Sequence, residues 1–247
     1  MLFFLYQNLF SQGFDWQTSA RMPSLHPTIF FGGVLSAGYL QDFGSFDFSQ
    51  TYIKCAEFKN GLGSNINVGI KAEYWLTSLL AINGAMKYNI YNSTFTDEQS
   101  FRAIDEQGEF DKKYKYTYSP SLAYISFNSE LKWRFIPTHF FLSAGITYES
   151  MVTNDNEFAE EVISPAELTF SDGTQKHIIA YGQIAPINNS IIQINLKTGT
   201  DFNLGNKRYG SIALKIDLPI NNVIKDDSWR RLVIGAELSI YQGFLEK

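Results

Sequence analysis

From Asn65 the chain reads Asn65-Ile66-Asn67-Val68-Gly69-Ile70-Lys71-Ala72-Glu73-Tyr74-Trp75-Leu76. The even positions are apolar, and the odd ones carry Asn, Gly, Lys, Glu and Trp. Successive side chains of a β-strand point to opposite faces, so a period of two predicts a strand with one oily and one polar face.

The same period recurs on either side. In Leu79 to Tyr91, Leu80, Ile82, Met86, Tyr88 and Ile90 alternate with Asn83, Lys87 and Asn89. In Ser121 to Phe135, Ala123, Ile125, Phe127, Leu131, Trp133 and Phe135 oppose Ser126, Asn128, Glu130, Lys132 and Arg134. Phe140 to Ser150, Ile191 to Leu204, Tyr209 to Leu218 and Arg230 to Tyr241 repeat the pattern. Thr28 to Leu40, apolar on both faces but small on one, completes about eight predicted strands.

The predicted connections alternate in length. Tight turns are expected at Thr77–Ser78, Pro137–Thr138 and Gly205–Lys207. Long polar connections are expected at Gln41 to Gly63, Asn92 to Pro120 and Val152 to Ser190, with a shorter one at Pro219 to Trp229. Short turns on one rim and long loops on the other describe a transmembrane antiparallel up-and-down β-barrel, all-β, with periplasmic turns and extracellular loops.

Composition agrees with a large apolar surface. The 247 residues are 45% hydrophobic, 16% aromatic and only 18% charged. No run approaches the roughly 18 apolar residues of a membrane helix. The other structure that satisfies its backbone in lipid is a closed barrel. A net charge of −5, with no basic stripe, argues against nucleic acid as a partner. The lone Cys55 excludes an intrachain disulfide. Residues 1–27 are expected to be a signal-peptide remnant and a periplasmic lead-in, with the barrel over 28–247.

Alternation does not say which face looks outward. A soluble lipocalin-type barrel alternates too, with its apolar face inward. Three features favour lipid outside. The polar face holds a sparse, nearly balanced set of charges: Lys71, Glu73, Lys87, Glu130, Lys132, Arg134, Glu149, Lys197, Asp201, Lys215, Asp217, Arg231 and Glu237. Such balance suits a crowded lumen, where an unpaired charge is expensive. Aromatics gather near the strand ends, as interfacial girdles do: Tyr74, Trp75, Trp133, Phe135 and Phe140 by the short turns, Tyr39, Tyr88, Tyr148 and Trp229 by the long loops. The last strand carries Gly235, Leu238 and Ile240, with Phe244 beyond, resembling the C-terminal signal read by barrel-assembly machinery.

Phe31-Gly32-Gly33, Asn60-Gly61-Leu62-Gly63 and Glu160-Glu161-Val162-Ile163-Ser164-Pro165 lie within this alternating frame from Thr28 to Phe244. With them the chain resembles the OmpA-type outer-membrane β-barrel superfamily, in the form found among Bacteroidetes and Chlorobi. The resemblance implies a bacterial outer-membrane location. Relatives often carry a peptidoglycan-binding domain after the barrel; with the sequence ending at Lys247, a barrel without it is expected.

Residues for chemistry are scarce. His26 precedes the first strand, His139 sits in a short turn, and His177 shares a loop with Ser171 and Asp172, where no scaffold fixes a triad. Asp97, Glu98, Asp105, Glu106, Asp111, Asp155, Glu157, Glu160 and Glu161 read as solvated loop faces. No catalytic, cofactor-binding or metal-binding residues are assigned, and no cofactor and no enzymatic activity are expected.

Two roles remain open. One is a structural or surface-interaction barrel, its lumen closed by the mixed charges, touching outer-membrane lipid and lipopolysaccharide and meeting an envelope or surface protein through its loops. The other is a narrow pore or transport barrel for small solutes, in which the inward Gly69, Gly145, Gly199 and Gly235 leave room for a thin file of water.

Overall fold

The computed structural model describes residues 29–47, 56–77, 79–105, 108–135, 139–165, 168–205, 208–225 and 227–244. The N-terminal segment with His26, the lone Cys55 and the residues after Phe244 lie outside them. Among the described residues, nine strands follow in chain order: β1 Ile29–Asp47, β2 Glu57–Trp75, β3 Leu80–Asp105, β4 Gly108–Arg134, β5 Phe140–Ser164, β6 Lys176–Gly182, β7 Ser190–Gly205, β8 Arg208–Pro219 and β9 Arg230–Phe244.

Eight of them close a ring. Each of β1 to β4 pairs antiparallel with its successor, β5 then pairs with β7, β7 with β8, β8 with β9, and β9 returns to β1. Ile29 faces both Tyr74 and Phe244, so the two ends of the barrel chain lie on the short-turn rim. Closure leaves no free edge within the ring, which is what lipid requires.

The faces sort as the alternation predicts. Ile70 is 68% exposed, Leu214 67% and Ile146 57%, while Glu130 and Lys132 on the same walls are 2% and 1% exposed. A belt of Leu, Ile, Val, Phe and Met thus covers the outside. On β2 it runs from Ile66 to Tyr74, matching the roughly 9–11 residues a tilted strand needs to cross the hydrocarbon.

Three expectations need correction. First, the long connections are mostly strand. β3 and β4 stay in register up to Asp105 opposite Gly108, and β5 continues to Ser164. There it takes β6 as its neighbour, opposite Asn156 to Glu161. So a four-stranded sheet of β3, β4, β5 and β6 rises past the belt. Its polar side chains are no obstacle, because the hairpin ladder satisfies the backbone and water takes the side chains.

Second, Trp75 and Trp229 are not girdle residues. They are 8% and 0% exposed and point into the barrel. Tyr39, Tyr74, Tyr88, Trp133, Phe140 and Tyr148 do face outward at the two levels.

Third, the inward glycines do not make room in the lumen. A Cβ at Gly69 would lie 2.1 Å from Met86 O, at Gly145 2.2 Å from Ser129 O, at Gly199 2.2 Å from Ile212 O, and at Gly235 2.3 Å from Ala37 O. The missing side chain lets the wall bend until neighbouring backbones nearly touch, as closing a small barrel demands. At the upper rim, β1 bulges between Phe43 and Phe46. Gly44 sits there with φ 128°, and a Cβ would strike Ser228 O at 2.0 Å.

Candidate functional site

Among the described residues, buried charge gathers in the barrel interior. All thirteen inward charges named from the sequence lie inside the barrel and are buried, and Asp42 on β1 joins them. That makes seven cations (Lys71, Lys87, Lys132, Arg134, Lys197, Lys215 and Arg231) and seven carboxylates (Asp42, Glu73, Glu130, Glu149, Asp201, Asp217 and Glu237). Equal numbers matter because each unpaired buried ion costs several kcal/mol.

They stack in three levels. Nearest the short turns, Lys132 Nζ lies 2.9 Å from Asp201 and 3.1 Å from Glu73, and Arg134 also pairs with Asp201. Tyr209 donates its hydroxyl proton to Glu73. Around them stand Phe30, Trp75, Tyr209 and Tyr241, with the Tyr209 and Tyr241 rings stacked at 4.5 Å. The Arg134 guanidinium lies 4.1 Å from the Trp75 ring and Lys132 lies 4.4 Å from Phe141, so the cations gain π contacts as well.

At mid-height Glu237 is the hub. Its carboxylate meets Lys71 at 3.0 Å, Lys87 at 2.8 Å and Lys197 at 2.8 Å. Glu130 lies 2.5 Å from Lys197 and 3.9 Å from Lys71, and accepts from the Ser143 hydroxyl at 3.0 Å. Three cations thus share two carboxylates contributed by β4 and β9.

The upper level is looser. Lys215 pairs with Asp217 two residues on, at 2.9 Å. Arg231 pairs with Asp42 at 3.3 Å and lies 4.5 Å from the Tyr91 ring. Glu149 is held by neutral donors: Tyr91 at 2.6 Å, Asn89 at 2.9 Å and Gln193 at 3.4 Å.

Above this sits a feature that reading the connections as polar loops concealed. Phe46, Phe58, Phe95, Tyr118, Phe158 and Trp229 pack with Leu40, Leu122 and Val233 into a buried apolar cluster within the long-loop rim. Trp229 stacks on Phe46 at 5.3 Å and meets Phe95 edge-on at 5.0 Å. Ile187, Val223 and Ile224, from the segments after β6 and β8, close over it. The missed signal was the alternation continuing through Tyr114, Tyr116 and Tyr118 into the supposed loop.

An apolar belt outside a closed ring, and a charge-balanced interior, decide the class. The chain is a transmembrane β-barrel of the outer-membrane type.

No family model matches this barrel, and no curated protein does. Solved structures resemble it at low identity. Neisserial surface protein A is 11% identical, with 87% of this chain and 97% of that chain covered and a TM-score of 0.39. Ail, the attachment invasion locus protein of Yersinia pestis, is 12% identical, with 86% and 98% covered and a TM-score of 0.30. The outer membrane protease OmpT of Escherichia coli is 11% identical, with 87% and 96% covered and a TM-score of 0.33. These likenesses carry no activity over to the barrel. The presence of a protease among them does overturn one expectation: the exclusion of enzymatic activity made from the sequence is withdrawn.

Of the two described histidines, His139 lies at the short-turn rim and His177 on β6 beyond the belt. His139 lies half-buried in the β4–β5 turn, where burial and the nearby Arg134 push its imidazole below its ordinary value. His177, on β6, packs against Phe170 at 5.6 Å. Asp172 accepts from the Thr174 amide at 2.9 Å and its hydroxyl at 2.7 Å, which hold that carboxylate below its usual range.

Proposed function

We propose that this chain is an OmpA-type barrel of the bacterial outer membrane with a structural or surface-interaction role, closed to solutes. The observation that supports this most directly is the filling of the interior at every level. Seven buried cations pair with six buried carboxylates, and Glu149 is held by neutral donors, between an aromatic layer at the short-turn rim and an apolar cluster at the long-loop rim. An eight-stranded barrel is only wide enough for its own side chains, and here those side chains are long and interlocked.

On this reading the belt contacts outer-membrane lipid and lipopolysaccharide. The sheet of β3, β4, β5 and β6 that rises beyond it meets an envelope or surface protein. The test is planar-bilayer recording of the refolded barrel. A silent trace is the expected result. Stable single-channel steps would overturn closure and make the narrow pore the better account.

A further inference from the structure

Beyond the belt, the sheet that rises from the ring has two open sides, and they differ. On one side β6 pairs with β5 opposite Asn156 to Glu161, and among the described residues no strand flanks its other edge. Alternate residues of an antiparallel strand turn their N–H and C=O groups away from the neighbour. Among the described residues, nothing pairs with the backbone of residues 177–181 on that side. The strand is nevertheless anchored. Ile179, the extra residue of a bulge, and Ala180 pack onto the apolar cluster, while Ile178 and Tyr181 stay exposed on the outer face.

The opposite side is β3 above Phe95, where its pairing with β2 ends. Asp97, Glu98 and Arg102 put charge along that edge, and the Asp97 carboxylate accepts from the Glu57 amide at 3.2 Å. Charge of this kind guards an edge strand against stray pairing. On β6 the Lys176 ammonium turns back to Glu157 on β5 at 3.4 Å, and the run after His177 is Ile178-Ile179-Ala180-Tyr181, without charge. One edge is guarded and the other is bare.

Two arguments define what the bare edge takes. Glu157, Glu160 and Glu161 stand opposite Tyr181, His177 and Lys176, and Asp172 lies in the turn before β6. Lys176 and, one strand further in, Lys115 opposite Glu161 are the lysines among them. Carboxylates therefore prevail within about 10 Å of an added strand, two strand spacings away, and they attract a basic segment. A second copy in the same membrane does not fit. Two copies in one membrane are related by an axis along the membrane normal. An antiparallel pair of β6 strands has its two-fold axis through the face of the sheet, which turns one barrel upside down. An axis along the strands sets donors against donors.

We infer that the free edge of β6 is a docking site for an extended basic segment of a partner protein, which joins the sheet as a further strand. This deepens the surface-interaction reading and rests on it. Main-chain hydrogen bonds hold the segment, and Ile178, Tyr181 and the carboxylates select alternating apolar and basic side chains.

The experiment titrates the full chain, refolded into a phosphatidylcholine nanodisc, with a fluorescent peptide that matches the seven residues of β6 and alternates valine and lysine. Two further forms are N-methylated on the backbone at odd or at even residues, which leaves the protein unaltered and removes donors from one side of the peptide. The expected result is that the plain peptide binds, that one N-methylated form binds about tenfold more weakly while the other does not, and that a benzophenone-bearing peptide cross-links to β6. Equal binding of all three forms would show attraction by charge alone and overturns the inference. Cross-links confined to other strands, preference for a valine–glutamate peptide, or no binding at all overturns it too. So does a barrel dimer that the peptide dissociates, since the occupant would then be a second copy. These failures leave the surface-interaction reading to other faces of the sheet, whereas single-channel steps in the bilayer would sink the closed barrel itself.

Discussion

The carboxylate of Glu237 on β9 lies 2.8 Å from the ammonium of Lys87 on β3, three strands away around the ring. That single contact spans the lumen, and two more lysines share the same carboxylate.

Glu237→Ala leaves Lys71, Lys87 and Lys197 with Glu130 as their remaining carboxylate at this level. Removing one partner of a buried ion pair costs about 3–5 kcal/mol. The expected outcome is a loss of that order in urea unfolding of the lipid-embedded barrel, followed by the gel-mobility shift on boiling. Lys87→Met in the same chain should return part of it, giving a coupling energy above about 0.5 kcal/mol. A coupling of zero would mean that water screens the pair.

Exposed apolar residues should divide by their surroundings. Ile70→Arg, on the belt, is expected to cost about 2–4 kcal/mol, as a cation does at the bilayer midplane. Tyr181→Arg on β6 changes a side chain that is 75% exposed beyond the belt, and should stay within about 0.5 kcal/mol. Equal penalties in the same unfolding assay would place both residues in one medium.

Trp229→Ala removes the centre of the upper apolar cluster. A large buried aromatic lost from a packed core costs about 3–5 kcal/mol. Bilayer recordings should nevertheless stay silent, since the ion pairs below are untouched. Conductance in this variant would show that the apolar cluster, not the charge network, is the barrier.

Gly69→Ala forces a methyl against Met86 O and the Lys87 backbone. Overpacking of this kind costs about 1–3 kcal/mol, so the yield of the heat-modifiable form should fall. Gly33→Ala has its nearest neighbour at 4.0 Å and should refold like the wild type.

Parity along each strand made the architecture legible, because a period of two separates lumen from lipid wherever the strand is regular. It faltered at the long-loop end. There the polarity inverts, with Phe95 packed inward while Thr94 and Thr96 face water, so Phe95, Tyr118 and Trp229 look no different in sequence from girdle residues. Asp42 was missed because it falls just past Leu40, where the strand was expected to end although it continues to Asp47. Which charge meets which was not legible either. The Glu237–Lys87 contact depends on ring closure and strand stagger, properties of all eight strands together. The glycines misled because a missing side chain reads as space, whereas here it marks backbone crowding.

The seam between β1 and β9 is where the ring closes, and its register poses a problem that oiliness cannot solve. A slip of one residue would turn Leu238 and Ile240 inward, and the belt would resist it. A slip of two preserves every face, so lipid is blind to the error. The charges are not. Two residues along the strand carry Glu237 about 7 Å from its place, away from Lys71, Lys87 and Lys197, and Arg231 leaves Asp42 at the same stroke. The two buried ionic residues of β9 thus act as a proofreading code for strand addition, admitting one alignment among those that hydrophobicity would accept.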